Sequence, residues 1–235
     1  MSIRVENLTQ QYGKQKALDA ISFHTQDNGI IGFLGPNGAG KSTTMKTLAG
    51  INPIQTGNCW INSINIQENP LEAKKIIGYL PENNPLYVDM YVQEMLEFHN
   101  ALNKLRNNKI RIDDVIQRTG LSKEKHKKIK QLSKGYRQRI GLACAIIHDP
   151  KVLILDEPTT GLDPNQIIEI RQLIRELAID KTVILSTHLM QEVEAICDEI
   201  IVIHQGVIKD QFLLKEKEQH YQNLTMEEIF VKLTK

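Results

Sequence analysis

Three cysteines in 235 residues, Cys59, Cys144 and Cys197, stand far apart and form no CxxC pair. That excludes a zinc ribbon and a disulfide scaffold, and it fits a reducing compartment. Aromatic residues make up 5% of the chain, with a single tryptophan, Trp60, whose expected job is packing. No apolar run approaches the roughly 20 residues that cross a bilayer. The N-terminus Met1-Ser2-Ile3-Arg4-Val5-Glu6 lacks the apolar centre of a signal peptide, so a membrane role is expected only through a partner. Charge of one sign is also missing: the formal net charge is +1, which gives no global field for nucleic acid or an anionic membrane. There is no internal repeat and no low-complexity tract. What is present is an ordinary globular composition, 41% hydrophobic and 24% charged. The length allows one large domain, or one core with an inserted smaller lobe.

The most informative stretch is Gly35-Pro36-Asn37-Gly38-Ala39-Gly40-Lys41-Ser42-Thr43, which fits GxxxxGK[ST]. It follows the apolar run Ile30-Ile31-Gly32-Phe33-Leu34, which reads as a buried strand, and precedes Thr44 to Ala49, which reads as the first turns of a helix. Strand, glycine-rich loop and helix in that order make a phosphate cradle, because backbone N–H groups and the helix N-terminus point at one anion. Lys41 is placed to reach β- and γ-phosphates, and the Ser42 hydroxyl to ligate Mg²⁺.

Before this loop, Ile3 to Leu8 and Ala17 to His24 flank the turn Tyr12-Gly13-Lys14 and predict an antiparallel hairpin. Tyr12 by itself reads as a half-buried strand residue, although its place before the loop would let its ring cover a base. After the loop, Asn58 to Ile66 alternates as a strand does. Ile76 to Pro81 predicts a short buried strand, and then the pattern turns helical, with Val92, Met95, Leu96, Ala101 and Leu102 and later Ile140, Leu142, Ala143 and Ile147 at helical spacing. Residues 82–149 are therefore expected to form an inserted all-α lobe between core segments 1–81 and 150–235. The lysine-rich run Ser122 to Lys134 inside it reads as a solvated face. Strands resume at Val152-Leu153-Ile154-Leu155, Thr182 to Thr187 and Glu199 to Ile203, and Thr225 is a candidate N-cap for a final helix from Met226.

Lys41, Glu82, Asp156 with Glu157, and His188 all fall at or just beyond C-terminal strand ends, the edge where open α/β sheets bind ligands. These residue types suit Mg²⁺-dependent phosphoryl transfer to water. Asp156 would hold the metal's hydration shell, Glu157 would orient or deprotonate water, and the imidazole of His188 would donate to the γ-phosphate. Asp156 and Glu157 before Pro158 also suit a helix cap, but a buried strand and a phosphate loop favour the metal role.

With these residues assembled, the chain resembles the ATP-binding-cassette ATPases over essentially its whole length. Leu132-Ser133-Lys134-Gly135-Tyr136 stands where that family has LSGGQ, Arg137-Gln138-Arg139 continues it, and Gly161-Leu162-Asp163-Pro164 matches the D-loop. The resemblance implies one P-loop NTPase domain of RecA-like type over residues 1–235: a mostly parallel core, an antiparallel β region and the helical insertion that carries the signature. It implies ATP and Mg²⁺ as cofactors, adenine stacking by Tyr12, and a Q-loop position at Glu82, where the family usually has Gln and where a carboxylate cannot donate. It also implies that Ser133 and Gly135 complete the phosphate site of a second copy, or of a paralogous ATPase, in a head-to-tail dimer. A multi-span membrane permease would be the other partner, holding the chain on the cytoplasmic face of the membrane, and no nucleic acid is expected. Lys134 replaces the family's central Gly and is expected to point to solvent. The wording of Ile77 to Glu82 and Leu132 to Arg139 looks most like ATPases of ABC-2-type exporters, and Asn83 to Val92 is similar to gliding-motility-associated members. A soluble, non-transport ATPase of the same family is the alternative.

Overall fold

The computed structural model describes residues 2–106 and 108–235. In chain order the elements are β1 (Ile3–Tyr12), β2 (Gln15–His24), β3 (Gly29–Leu34), α1 (Lys41–Leu48), β4 (Thr56–Ile61), β5 (Ile64–Asn65), α2 (Pro70–Lys75) and β6 (Ile77–Leu80). Then come α3 (Val92–Leu102), α4 (Asn108–Arg118), α5 (Lys134–Ile146), β7 (Val152–Asp156), α6 (Pro164–Leu177), β8 (Thr182–Thr187), α7 (Met190–Ile196) and β9 (Glu199–His204). The chain closes with β10 (Val207–Leu213), α8 (Lys217–His220) and α9 (Met226–Thr234).

The strands make two sheets, ordered β2-β1-β4-β5 and β10-β9-β3-β8-β7-β6. The first is antiparallel throughout, and in the second only the β10 to β9 pairing is antiparallel. Every residue of β7 and β8 is buried, as expected for central parallel strands covered on both faces. Their side chains alternate between two cores. Val152, Ile154 and Ile184 pack toward the antiparallel sheet with Ile3, Leu8 and Met45. Leu153, Leu155, Val183 and Leu185 pack toward the helices with Met95, Ile140 and Ile174. The sheet's C-terminal edge is thereby held between two packed layers, and the candidate polar groups of the parallel strands end on it.

The structure departs from the sequence reading at three places. The stretch from Asn58 to Ile66 is a hairpin rather than one strand: Asn62 and Ser63 both have positive φ, 44° and 65°, and Ile61 pairs with Ile64. Two left-handed residues are what a two-residue hairpin turn needs, but Asn-Ser carries none of the glycine that usually marks one. The six-residue α2 starts with Pro70 at its first position and is too short to show a helical period. Between β6 and β7, residues 83–91 are not helical. They pair instead with the lysine-rich run, through an isolated bridge between Tyr91 and Lys128 and through amides donated by Val92 to Lys127, Ile129 to Met90 and Lys130 to Val88.

Candidate functional site

The phosphate loop leaves β3 against a wall. A Cβ on Gly35 would lie 2.4 Å from the carbonyl oxygen of Ile203, so only glycine lets the chain turn there. Gly40 is the N-cap of α1 at φ 109°, a conformation open to glycine, and it offers no side chain to cap the helix's first amides. Ala39 is buried, with its N–H donated to the Pro36 carbonyl, while Asn37 and Gly38 are exposed. The helix then places Lys41, only 6% exposed, with its Nζ donating to the carbonyls of Gly35 at 2.9 Å and Pro36 at 3.3 Å. Its third near neighbour is Glu157, whose Oε1 lies 3.3 Å from Nζ.

At the end of β7, Asp156 is 1% exposed and accepts from two hydroxyls, Ser42 at 3.0 Å and Ser186 at 2.6 Å. Ser186 sits opposite Asp156 in the β7–β8 register, and its Oγ also accepts the Glu157 N–H at 3.0 Å. The sequence reading gave Ser186 no role in the site; its place one residue before a strand end beside an acidic strand end was the available signal. Glu157 holds φ at 50°, in the left-handed region that non-glycine residues rarely occupy. That turn aims its carboxylate back over the phosphate loop. There it meets His188 Nδ1 at 2.9 Å and accepts from the Thr160 hydroxyl at 3.1 Å, a second group the sequence did not single out. With Nδ1 facing Glu157, the Nε2 edge of the imidazole is the one left for another partner.

A cavity of about 420 Å³ brings Lys41, Ser42, Thr43, Glu82, Glu157 and His188 to one surface. The phenol of Tyr79, which lines a separate groove, is pushed well above its ordinary pKa, first by burial and then by the charges of Asp156 and Glu82. Tyr12 is not part of the cavity wall: it is 55% exposed, its hydroxyl accepts from Asn52 Nδ2 at 2.9 Å, and its strand partner Gln15 is the one lining the space. Ser133 and Gly135 line a different cavity, of about 300 Å³, with Asp163 and Gln166. Ser133 caps α5 by accepting the Tyr136 N–H, and Asp163 caps α6 by accepting from Gln166 at 3.0 Å. Lys134 is exposed, as expected, and its amine also lies beside Gly161, where an added Cβ would come within 2.2 Å of Nζ.

Ser42 and Asp156 put two hard oxygen donors side by side. No group of three or more His, Cys, Asp or Glu side chains able to hold a metal occurs among the described residues. The pair therefore suits a cation that brings most of its own ligands as phosphate oxygens and water, which is how Mg²⁺ binds.

A strand, glycine loop and helix with an acidic strand end two strands away in the same parallel sheet define a phosphate-loop nucleoside triphosphatase. Residues 18–160 match the family model described as ABC transporter. An uncharacterized ABC transporter ATP-binding protein of Methanocaldococcus jannaschii is 40% identical over 87% of this chain and 74% of its own length. The bacitracin transport ATP-binding protein of Bacillus licheniformis is 36% identical over 93% of this chain and 73% of its own. A solved structure of the ATP-binding subunit of an ABC transporter superposes with a TM-score of 0.89 at 27% identity, covering 100% of both chains. The chain belongs to the ABC transporter family, as an ATP-binding and ATP-hydrolysing subunit.

Proposed function

We propose that this subunit is a Mg²⁺-dependent ATPase that powers a separate membrane permease by pairing head to tail with a second copy of itself or with a paralogous ATPase. The observation that carries the reading is the convergence of Lys41, Ser42, Asp156, Glu157 and His188 on one sheet edge. The amides of Gly35 to Thr43 and the Lys41 amine bind the phosphates. Ser42 and Asp156 would hold Mg²⁺, which when bound would supply charge neutralisation for the phosphates. Glu157 accepts a proton from the attacking water, and His188 donates from Nε2 to the γ-phosphate. Tyr12 stands at the rim beside Gln15 and stacks on adenine. Ser133 and Gly135, in their own cavity, belong to the site of the second copy, an isologous arrangement.

The same reading treats residues 1–235 as one cassette with a helical insertion at 82–149. Its coupling surface is the segment from Asn83 to Tyr91. Beside it lies an apolar groove of about 360 Å³ lined by Pro85, Leu86, Met95 and Cys144, and Tyr87, Val88 and Tyr91 are exposed. No helix among the described residues is long and apolar enough to cross a membrane. In this reading the permease provides attachment to the inner face. Likeness to a bacitracin transport ATP-binding protein supports a transporter subunit, and the wording of Ile77 to Glu82 and Leu132 to Arg139 favours an exporter of the ABC-2 type. Affinity purification in mild detergent should recover a multi-span membrane protein, and recovery of only soluble proteins or nucleic acid would instead favour a remodelling ATPase.

Glu82 lines the cavity and occupies the Q-loop position. If it approaches the metal, Glu82→Gln should shift the Mg²⁺ dependence of turnover to higher concentration, because a carboxylate is replaced by a neutral amide. An unchanged titration would remove Glu82 from the metal's surroundings.

A further inference from the structure

Glu192 is a carboxylate that the chemistry above does not use, and it is completely buried. It is the third residue of α7, the position from which a glutamate usually reaches back to the helix's own N-cap amide. Here the Thr187 hydroxyl accepts that amide, from Leu189, at 3.0 Å. Glu192 instead turns inward, and its Oε1 accepts from the Thr159 hydroxyl at 2.9 Å. Thr159 follows Glu157 by two residues, and Thr187 immediately precedes His188. One buried side chain therefore stands between the loop that carries the general base and the strand end that carries its histidine partner.

The surroundings are charged on several sides. Burial raises the Glu192 pKa, the Thr187 and Thr159 hydroxyls and the Arg171 cation oppose that, and the negative Glu157 adds to it. The thiol of Cys197 on α7's far end is pushed up mainly by its own burial and further by Glu192. Glu192 Oε2 and Arg171 Nε are both buried without a hydrogen-bond partner. The Thr159 hydroxyl is thus held by a carboxylate on a different element, next to the strand end that leads to His188.

We propose that Glu192 is a positioning residue for hydrolysis: by holding Thr159 it fixes the loop of Glu157 against the strand end of His188 and maintains the Glu157–His188 contact. This rests on the assignment of Glu157 as general base. The test measures turnover, affinity for a fluorescent ATP analogue and melting temperature on the full chain. Glu192→Ala should lower kcat at least tenfold with ATP affinity changed less than twofold. Glu192→Gln, whose amide oxygen still accepts from Thr159, should recover kcat to within threefold of the wild type. Thr159→Val, a swap of nearly the same shape, should match Glu192→Ala, and the double variant should be no slower than either, since both remove one contact.

Turnover of Glu192→Ala within twofold of wild type would overturn the proposal. So would additive losses in the double variant, a Glu192→Gln enzyme as slow as Glu192→Ala, or parallel losses of kcat, affinity and melting temperature. If Glu192→Ala does not fold, Thr159→Val decides alone on the same criteria. Turnover that survives Glu157→Gln would overturn the general-base assignment and this proposal with it; turnover abolished by Glu157→Gln but untouched by Glu192→Ala would overturn only the second.

Discussion

Exchanging Glu157 for glutamine should cut ATP turnover by about 10²- to 10⁴-fold, the usual contribution of a general base, while ATP still binds. The substitution keeps the size of the side chain and an oxygen able to accept from Thr160, so the left-handed turn at φ 50° and the shape of the loop are retained. What is lost is the ability to take a proton. The change also removes the negative partner 3.3 Å from Lys41, leaving that amine to the Gly35 and Pro36 carbonyls and to phosphate. Binding should therefore be equal to or tighter than in the wild type. In the head-to-tail scheme the variant should accumulate as an ATP-loaded dimer, seen by size-exclusion chromatography with Mg²⁺ and ATP. Turnover within tenfold of wild type would assign the base elsewhere.

Lys41→Ala should act first on ATP binding, with a smaller fold-change than the loss of turnover in Glu157→Gln. The amine is almost wholly buried and is aimed by two carbonyls and one carboxylate, so it is already fixed where phosphate would meet it. A charge-assisted hydrogen bond contributes about 1.5–3 kcal/mol, which is roughly a 10- to 150-fold loss of ATP affinity when it is removed. Two further effects follow from the same geometry. Glu157, itself only 8% exposed, loses its neighbouring cation, which should lower stability as well. Lys41→Arg should not rescue, because a planar guanidinium cannot take the place of a compact ammonium between two loop carbonyls. Calorimetric titration with ATP would check both variants, and wild-type affinity in Lys41→Ala would remove Lys41 from the phosphate site.

The parts of the site that were legible in sequence are those whose pattern is local. The phosphate loop is a contiguous motif, and β7 and β8 are unbroken apolar runs that end in polar residues, so Lys41, Ser42, Asp156, Glu157 and His188 could be placed at one edge before any fold was known. The parts that were not legible depend on cross-strand register or on burial. Ser186 becomes a partner of Asp156 only because β7 and β8 pair in parallel at that residue. Glu192 reads in sequence as one more acidic residue on a short helix, and nothing local distinguishes it from an exposed one. The non-helical segment 83–91 was absorbed into a helical lobe because its pairing partner, the lysine-rich run, lies more than thirty residues away and has no strand-like alternation.

Gly141 on α5 shows how a relation between distant segments can be written as missing atoms. Asn84, in the loop after β6, donates its amide to the carbonyl of Arg137 at 2.9 Å on that helix. It lies so close that a Cβ on Gly141 would meet Asn84 Nδ2 at 2.1 Å and Leu80 Cδ1 at 2.5 Å. Any larger residue at 141 would drive the amide off its carbonyl, and a shorter residue at 84 would leave a hole over the notch. The two positions are therefore coupled through this one contact. The loop that follows β6 and the helix that begins beside Ser133 inherit one shared constraint, and a displacement of either has to be carried by the other.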